Sequence, residues 1–73
     1  MSEYTVILVY STSHAIRAEK VLAEAGISCK LIPVPRYLSS DCGVCVRIEP
    51  AQREAAVETL KAAKVELDGV HQI

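Results

Sequence analysis

Hydrophobic positions fall into six short blocks along the chain. Thr5-Val6-Ile7-Leu8-Val9-Tyr10 is apolar or β-branched at every position. Such a run suits a central strand covered on both sides. Ala15, Ala18, Leu22 and Ala25 then recur at helical spacing, with Arg17, Lys20 and Glu24 on the opposite side. Ser11-Thr12-Ser13 supplies hydroxyls for the start of that helix, and Gly26 ends it. The pattern predicts a helix over about Ser13–Ala25.

A second strand runs from Ile27 to about Val34. Its Pro33 and Pro35 suit an edge position, because proline cannot donate to a ladder. In Val44-Cys45-Val46-Arg47-Ile48, Val44, Val46 and Ile48 share one face, while Cys45, Arg47 and Glu49 share the other. Pro50 opens a second helix over Ala51–Lys64, with Ala56, Val57, Leu60 and Ala63 as its core stripe. Val65-Glu66-Leu67-Asp68 alternates as a last strand, followed by a tail or strand extension from Gly69 to Ile73.

The order β-α-β-β-α-β predicts an α+β fold, the ferredoxin-like sandwich. Its four-stranded antiparallel sheet has order 4-1-3-2, with both helices on one face. Residues 1–73 form one domain. The core is expected to hold Val6, Leu8, Ala18, Leu22, Leu31, Val44, Val46, Val57, Leu60 and Leu67. Strand 1 is apolar on both faces, so the face away from the helices is expected to be bare enough to make a homodimer.

Composition narrows the function classes. The chain is 51% apolar, yet has no Trp and no Phe. Its core must come from Val, Leu, Ile and Ala and is small. Eight basic and nine acidic residues leave a net charge of −1. That argues against binding nucleic acid or a membrane surface by charge. No apolar run reaches the ~18 residues of a membrane span, and no positive region precedes the first apolar run. A cytoplasmic location is therefore expected, with the three cysteines as thiols.

One stretch escapes every periodicity: Pro33-Val34-Pro35-Arg36-Tyr37-Leu38-Ser39-Ser40-Asp41-Cys42-Gly43. A long loop in so short a domain is usually functional. Cys42 is its only good nucleophile, and Gly43 permits a sharp turn. In the expected sheet, strand 1 ends where strand 3 begins. The Ser13-His14 helix start and the Arg36–Cys42 loop therefore share one sheet edge, and the site is expected there. An ordinary thiol, with a pKa of about 8.5, is only ~3% ionised at pH 7. A helix N-terminus and Arg36 would raise that fraction, and Ser39 and Ser40 can donate hydrogen bonds. Asp41 opposes them. His14 is either a proton partner or simply solvated.

The cysteine spacing has alternative readings. Cys42-Gly43-Val44-Cys45 has redox-pair spacing, but it leads into a strand rather than opening a helix. Three extended residues span about 10 Å, against a Cα limit of about 7 Å for a disulfide. A tight turn at Gly43 would rescue the pair. Cys29 reads as a packing residue. No second cysteine pair exists to complete a zinc site, so neither metal nor cofactor is expected.

The segments Thr12-Ser13-His14-Ala15, Ala18-Glu19-Lys20, Leu31-Ile32-Pro33-Val34-Pro35-Arg36 and Ser39-Ser40-Asp41-Cys42-Gly43 together resemble a small bacterial family of selenium/sulfur carrier protein-like domains. The resemblance covers nearly the whole chain and is most specific at P-V-P-R and S-x-x-C-G. It implies that Cys42 carries a persulfide or a selenium atom between donor and acceptor proteins. Cys45 departs from the family pattern, which has an aliphatic or small residue there. Three readings stand: a sulfur or selenium carrier rather than an independent enzyme, a thiol redox protein using Cys42 and Cys45, and a non-catalytic module binding an anion or peptide. In the carrier and binding readings, Arg36, Ser13, Gly43, Ser39, Ser40 and His14 line the site.

Overall fold

The computed structural model describes residues 4–35, 37–38 and 43–73. The elements are β1 (Thr5–Leu8), α1 (Thr12–Glu24), β2 (Cys29–Pro33), β3 (Val44–Ile48), a 3-10 turn (Pro50–Gln52), α2 (Arg53–Ala62) and β4 (Gly69–Gln72). They build an α+β unit with a four-stranded antiparallel sheet and two helices. The sheet order is β2-β3-β1-β4, which read from the other edge is β4-β1-β3-β2. β1 pairs with β3 and β4, and β2 pairs with β3, all antiparallel. β1 is thus central, as its unbroken apolar run requires.

Both helices pack into one cluster with a single face of the sheet. Ile7, Val9, Val46 and Ile48 meet Ala15, Ala18 and Leu22 of α1 and Ala56 and Leu60 of α2. The alternation in β3 is as the sequence indicates. The parity of β1 is the reverse of the expectation: Ile7 faces the helices, whereas Val6 and Leu8 face away. A strand apolar at every position carries no signal that tells its two faces apart. Val57, Leu31, Val44 and Leu67, expected in the core, are only partly buried. Ile27, Ala56 and Val65 are buried instead.

The second face is not bare. Val6, Leu8 and Cys45 are almost wholly buried there, and Ile32, Val34, Leu38 and Ile73 pack against them. Val34 and Leu38 come from the segment joining β2 to β3. The loop therefore acts as part of a roof. This removes the ground given above for a homodimer through a bare strand-1 face.

The helix ends explain the remaining differences. Ser11 caps α1, and its side chain accepts from the His14 amide. At the other end, Gly26 has φ +80° and the Ile27 amide bonds to the Leu22 carbonyl at 2.9 Å. This six-to-one bond, with Ile27 and Leu22 both in the core, is a Schellman closure. α2 closes the same way, with Val65 bonded to Leu60 at 2.9 Å, but Lys64 occupies the left-handed position at φ 60°. Residues 65–68 therefore serve as a connection rather than the last strand. β4 begins only at Gly69, which pairs with Leu8. Pro50 starts a 3-10 turn, so α2 proper begins two residues after the expected Ala51. Among the described residues, no helix is long and apolar enough to cross a membrane.

Candidate functional site

The sheet register brings three chain segments to one end. Leu8 lies opposite Cys45, so β1 leaves the sheet where β3 enters it. Pro33 lies opposite Val44, so β2 leaves at the same end. The start of α1 follows β1 by three residues. The helix start with Ser13 and His14 and the loop residue Gly43 thus lie at this end. Arg36, Ser39, Ser40, Asp41 and Cys42 lie outside the described residues.

The described residues give the frame of the loop. The Val34 amide donates to the Gly43 carbonyl at 3.1 Å, closing the segment just beyond the β2–β3 ladder. Gly43 is exposed, with φ +81°, a left-handed conformation that other L-residues rarely adopt. The Leu38 amide donates to the Pro35 carbonyl at 3.0 Å, which makes a tight turn after the second proline. Tyr37 in that turn is strongly exposed, whereas Leu38 tucks onto the second face of the sheet.

Across from the loop frame, the first turn of α1 is tightly capped. Ser11 Oγ lies 2.6 Å from His14 Nδ1 and also accepts from the His14 amide at 3.2 Å. These contacts balance when the hydroxyl donates to Nδ1, which puts the ring proton on Nε2. Tyr10 meets the His14 ring edge-to-face, with centroids 6.4 Å apart. His14 is therefore half-buried and held in place, not simply solvated. Only Nε2–H remains to donate a hydrogen bond to anything outside. Ser13 is exposed one residue earlier. The orphan amides of a first helical turn and the positive end of the helix dipole favour an anion here.

The two described cysteines are placed very differently. Cys45 is 0% exposed on the second face, beside Leu8 and Ile32 in register. Cys29 is half-buried at the start of β2, at the opposite end of the sheet, and its thiol donates to the Glu19 carbonyl at 3.6 Å. Burial, with the Glu19 carboxylate nearby, pushes its pKa up. This is the packing role that the sequence indicated. Among the described residues, no group of three or more His, Cys, Asp or Glu could hold a metal ion.

The sequence reading missed two features. One is the roof formed by Val34 and Leu38, whose signal was two aliphatic residues in an otherwise polar loop. The other lies at the far end of the sheet, where Arg47 stacks on Tyr4 with its guanidinium carbon 4.2 Å from the ring centroid.

Comparison with known proteins gives one family. The model described as Putative Se/S carrier protein-like matches residues 3–72. No curated protein and no solved structure matches the chain.

Proposed function

Because the chain belongs to the Putative Se/S carrier protein-like family, we propose that it is a sulfur or selenium carrier with Cys42 as the loaded residue. The fold that carries it is read as the ferredoxin-like βαββαβ sandwich. The element order, the sheet order and the single cluster shared by both helices support that reading.

The observation that carries the assignment concerns the other two thiols. A carrier thiol must be ionised to attack and exposed to meet two partners. Cys45 is sealed under the loop roof, and Cys29 is held toward its protonated form. Cys42, next to the exposed Gly43 in the sequence, is the cysteine left for the role. The buried position of Cys45 also counts against a redox pair, which needs a resolving thiol within reach.

In the proposed step the Cys42 thiolate attacks the outer sulfur of a donor persulfide. A new S–S bond forms, the donor's S–S bond breaks, and the donor leaves as a thiolate. No net oxidation occurs. A donor of the type R–S–Se⁻ transfers selenium in the same way. The capped N-terminus of α1 offers amide donors to the terminal anion. Arg36 offers a charge-assisted hydrogen bond, and Ser39 and Ser40 add neutral ones. His14 Nε2–H is a further hydrogen-bond donor at the same end. The partners are therefore a donor and an acceptor protein, which complete the chemistry that a 73-residue chain does not supply alone.

The test loads wild-type and Cys42→Ser protein with a persulfide donor, then adds cyanide. Wild-type protein should gain about 32 Da per sulfur, or about 79 Da per selenium, and release thiocyanate from the sulfur-loaded form. The Cys42→Ser protein should do neither. Equal loading of Cys42→Ser, or no loading of the wild type, would move the assignment to an anion- or peptide-binding module.

A further inference from the structure

At the opposite end of the sheet from the loop, the second face carries two cations in register. Lys30 of β2 and Arg47 of β3 are direct cross-strand partners on that face. Like charges directly opposite one another destabilise a strand pair. Among the described residues neither makes an ion pair with a carboxylate. Arg47 is half-buried and steadied on the Tyr4 ring, 4.2 Å from its centroid. A guanidinium stacked this way keeps its planar fork of N–H donors available at the edge.

These residues line one cavity of about 250 Å³, together with Ser28 and Glu49. Cys29 and Ile48, whose side chains pack on the helix side of the sheet, line it as well, so the cavity sits at the end of the β2–β3 pair. Two positive groups and one carboxylate leave the cavity with a net charge of +1. Ser28, exposed at its rim, adds a hydroxyl donor. The net positive charge suits a small oxyanion, with the Arg47 fork and the Lys30 ammonium as its charge-assisted donors.

We propose that the Tyr4–Lys30–Arg47 cavity is a binding site for a small oxyanion, a phosphate or carboxylate group. The site lies at the opposite end of the sheet from Gly43 and does not rest on the carrier reading. An anion between the two cations relieves their mutual repulsion and joins β2 to β3 at an edge of the sheet. Glu49 lines the same cavity and opposes the anion, so it limits affinity.

The test is a nuclear magnetic resonance titration of the full chain, with sodium phosphate and sodium acetate in separate arms and total ionic strength held constant with chloride. At least one anion should give saturable shifts centred on Tyr4, Lys30 and Arg47, and the better arm tells phosphate from carboxylate. Lys30→Gln, an exposed edge-strand change that leaves the core intact, should weaken binding about tenfold. Glu49→Gln should tighten it, and Cys42→Ser should leave it unchanged. Linear, unsaturating shifts in both arms would overturn the site. So would unaltered affinity in Lys30→Gln.

Discussion

The two faces of the sheet are covered by different means. On one, two amphipathic helices bring Ala15, Ala18, Leu22, Ala56 and Leu60 down onto Ile7, Val46 and Ile48. On the other, Val34, Leu38, Ile32 and Ile73 lie over Val6, Leu8 and Cys45. The first cover is regular secondary structure with its own hydrogen bonds. The second is mainly loop and terminal side chains, tied down by bonds such as Val34 to Gly43 and the mutual Tyr4–Ile73 pair. Both bury β1 almost completely, but the thin cover shares its segment with the candidate carrier residue. Changes in that roof should therefore reach the site, whereas changes under the helices should act on global stability alone.

The largest expected effect tests the helix side. Leu22 is fully buried, and Leu22→Ala should cost about 3 kcal/mol. A chain of this length holds roughly 4–11 kcal/mol in total, so the variant should lose much of its resistance to urea. Leu38→Ala, on the roof, should cost only about 1 kcal/mol because Leu38 is half-buried. Its signature is local: Cys45 should alkylate markedly faster under native conditions, while Leu22→Ala exposes Cys45 only through global unfolding. Equal stability losses from the two variants, or an unchanged Cys45 rate in Leu38→Ala, would erase the distinction between the faces.

Ser11 provides an intermediate effect, at the edge where both regions meet the helix start. Ser11→Ala removes the cap of α1 and the partner of His14 Nδ1. A loss of about 1 kcal/mol is expected by urea denaturation. The His14 ring should also become more mobile, seen as averaging of its proton shifts. A ring that stays fixed would mean that Tyr10, not Ser11, holds it.

What could be read from residues alone follows the same division. Amphipathic helices announce their buried stripe, so Ala18, Leu22 and Leu60 were identifiable, and the hydroxyls of Ser11-Thr12-Ser13 and Gly26 marked the limits of α1, although the helix begins at Thr12 rather than Ser13. β1 did not announce its faces, because Val6 and Ile7 are equally apolar and only the final packing chose between them. The end of α2 was hidden by Lys64, which takes a left-handed position where glycine is the usual signal. That concealment shifted the last strand from 69–72 to 65–68. That β1 ends where β3 begins followed from topology, since antiparallel neighbours must exchange ends. The roof was harder to see, because aliphatic residues in a loop show no period that would assign them to a face.

The smallest effect compares the described cysteines, one on each face. Cys29 sits on the helix side, and its pKa is raised, first by burial and then by the Glu19 carboxylate. A thiol with a raised folded-state pKa holds its proton more firmly in the native state than in the unfolded chain. The stability linked to it is complete below the unfolded thiol pKa of about 8.5 and is lost as pH rises toward the higher folded value. Wild-type protein should therefore lose stability through this group as pH rises above about 8.5. Cys29→Ala should flatten that part of the profile, even though it removes some packing at every pH. Cys29 should also alkylate more slowly than an unhindered thiol at pH 8. The measurement is urea midpoint against pH from 7 to 10 for both proteins, read as the difference between the curves. A constant difference across that range would show that Cys29 does not ionise differently in the folded chain, and that its role is packing alone.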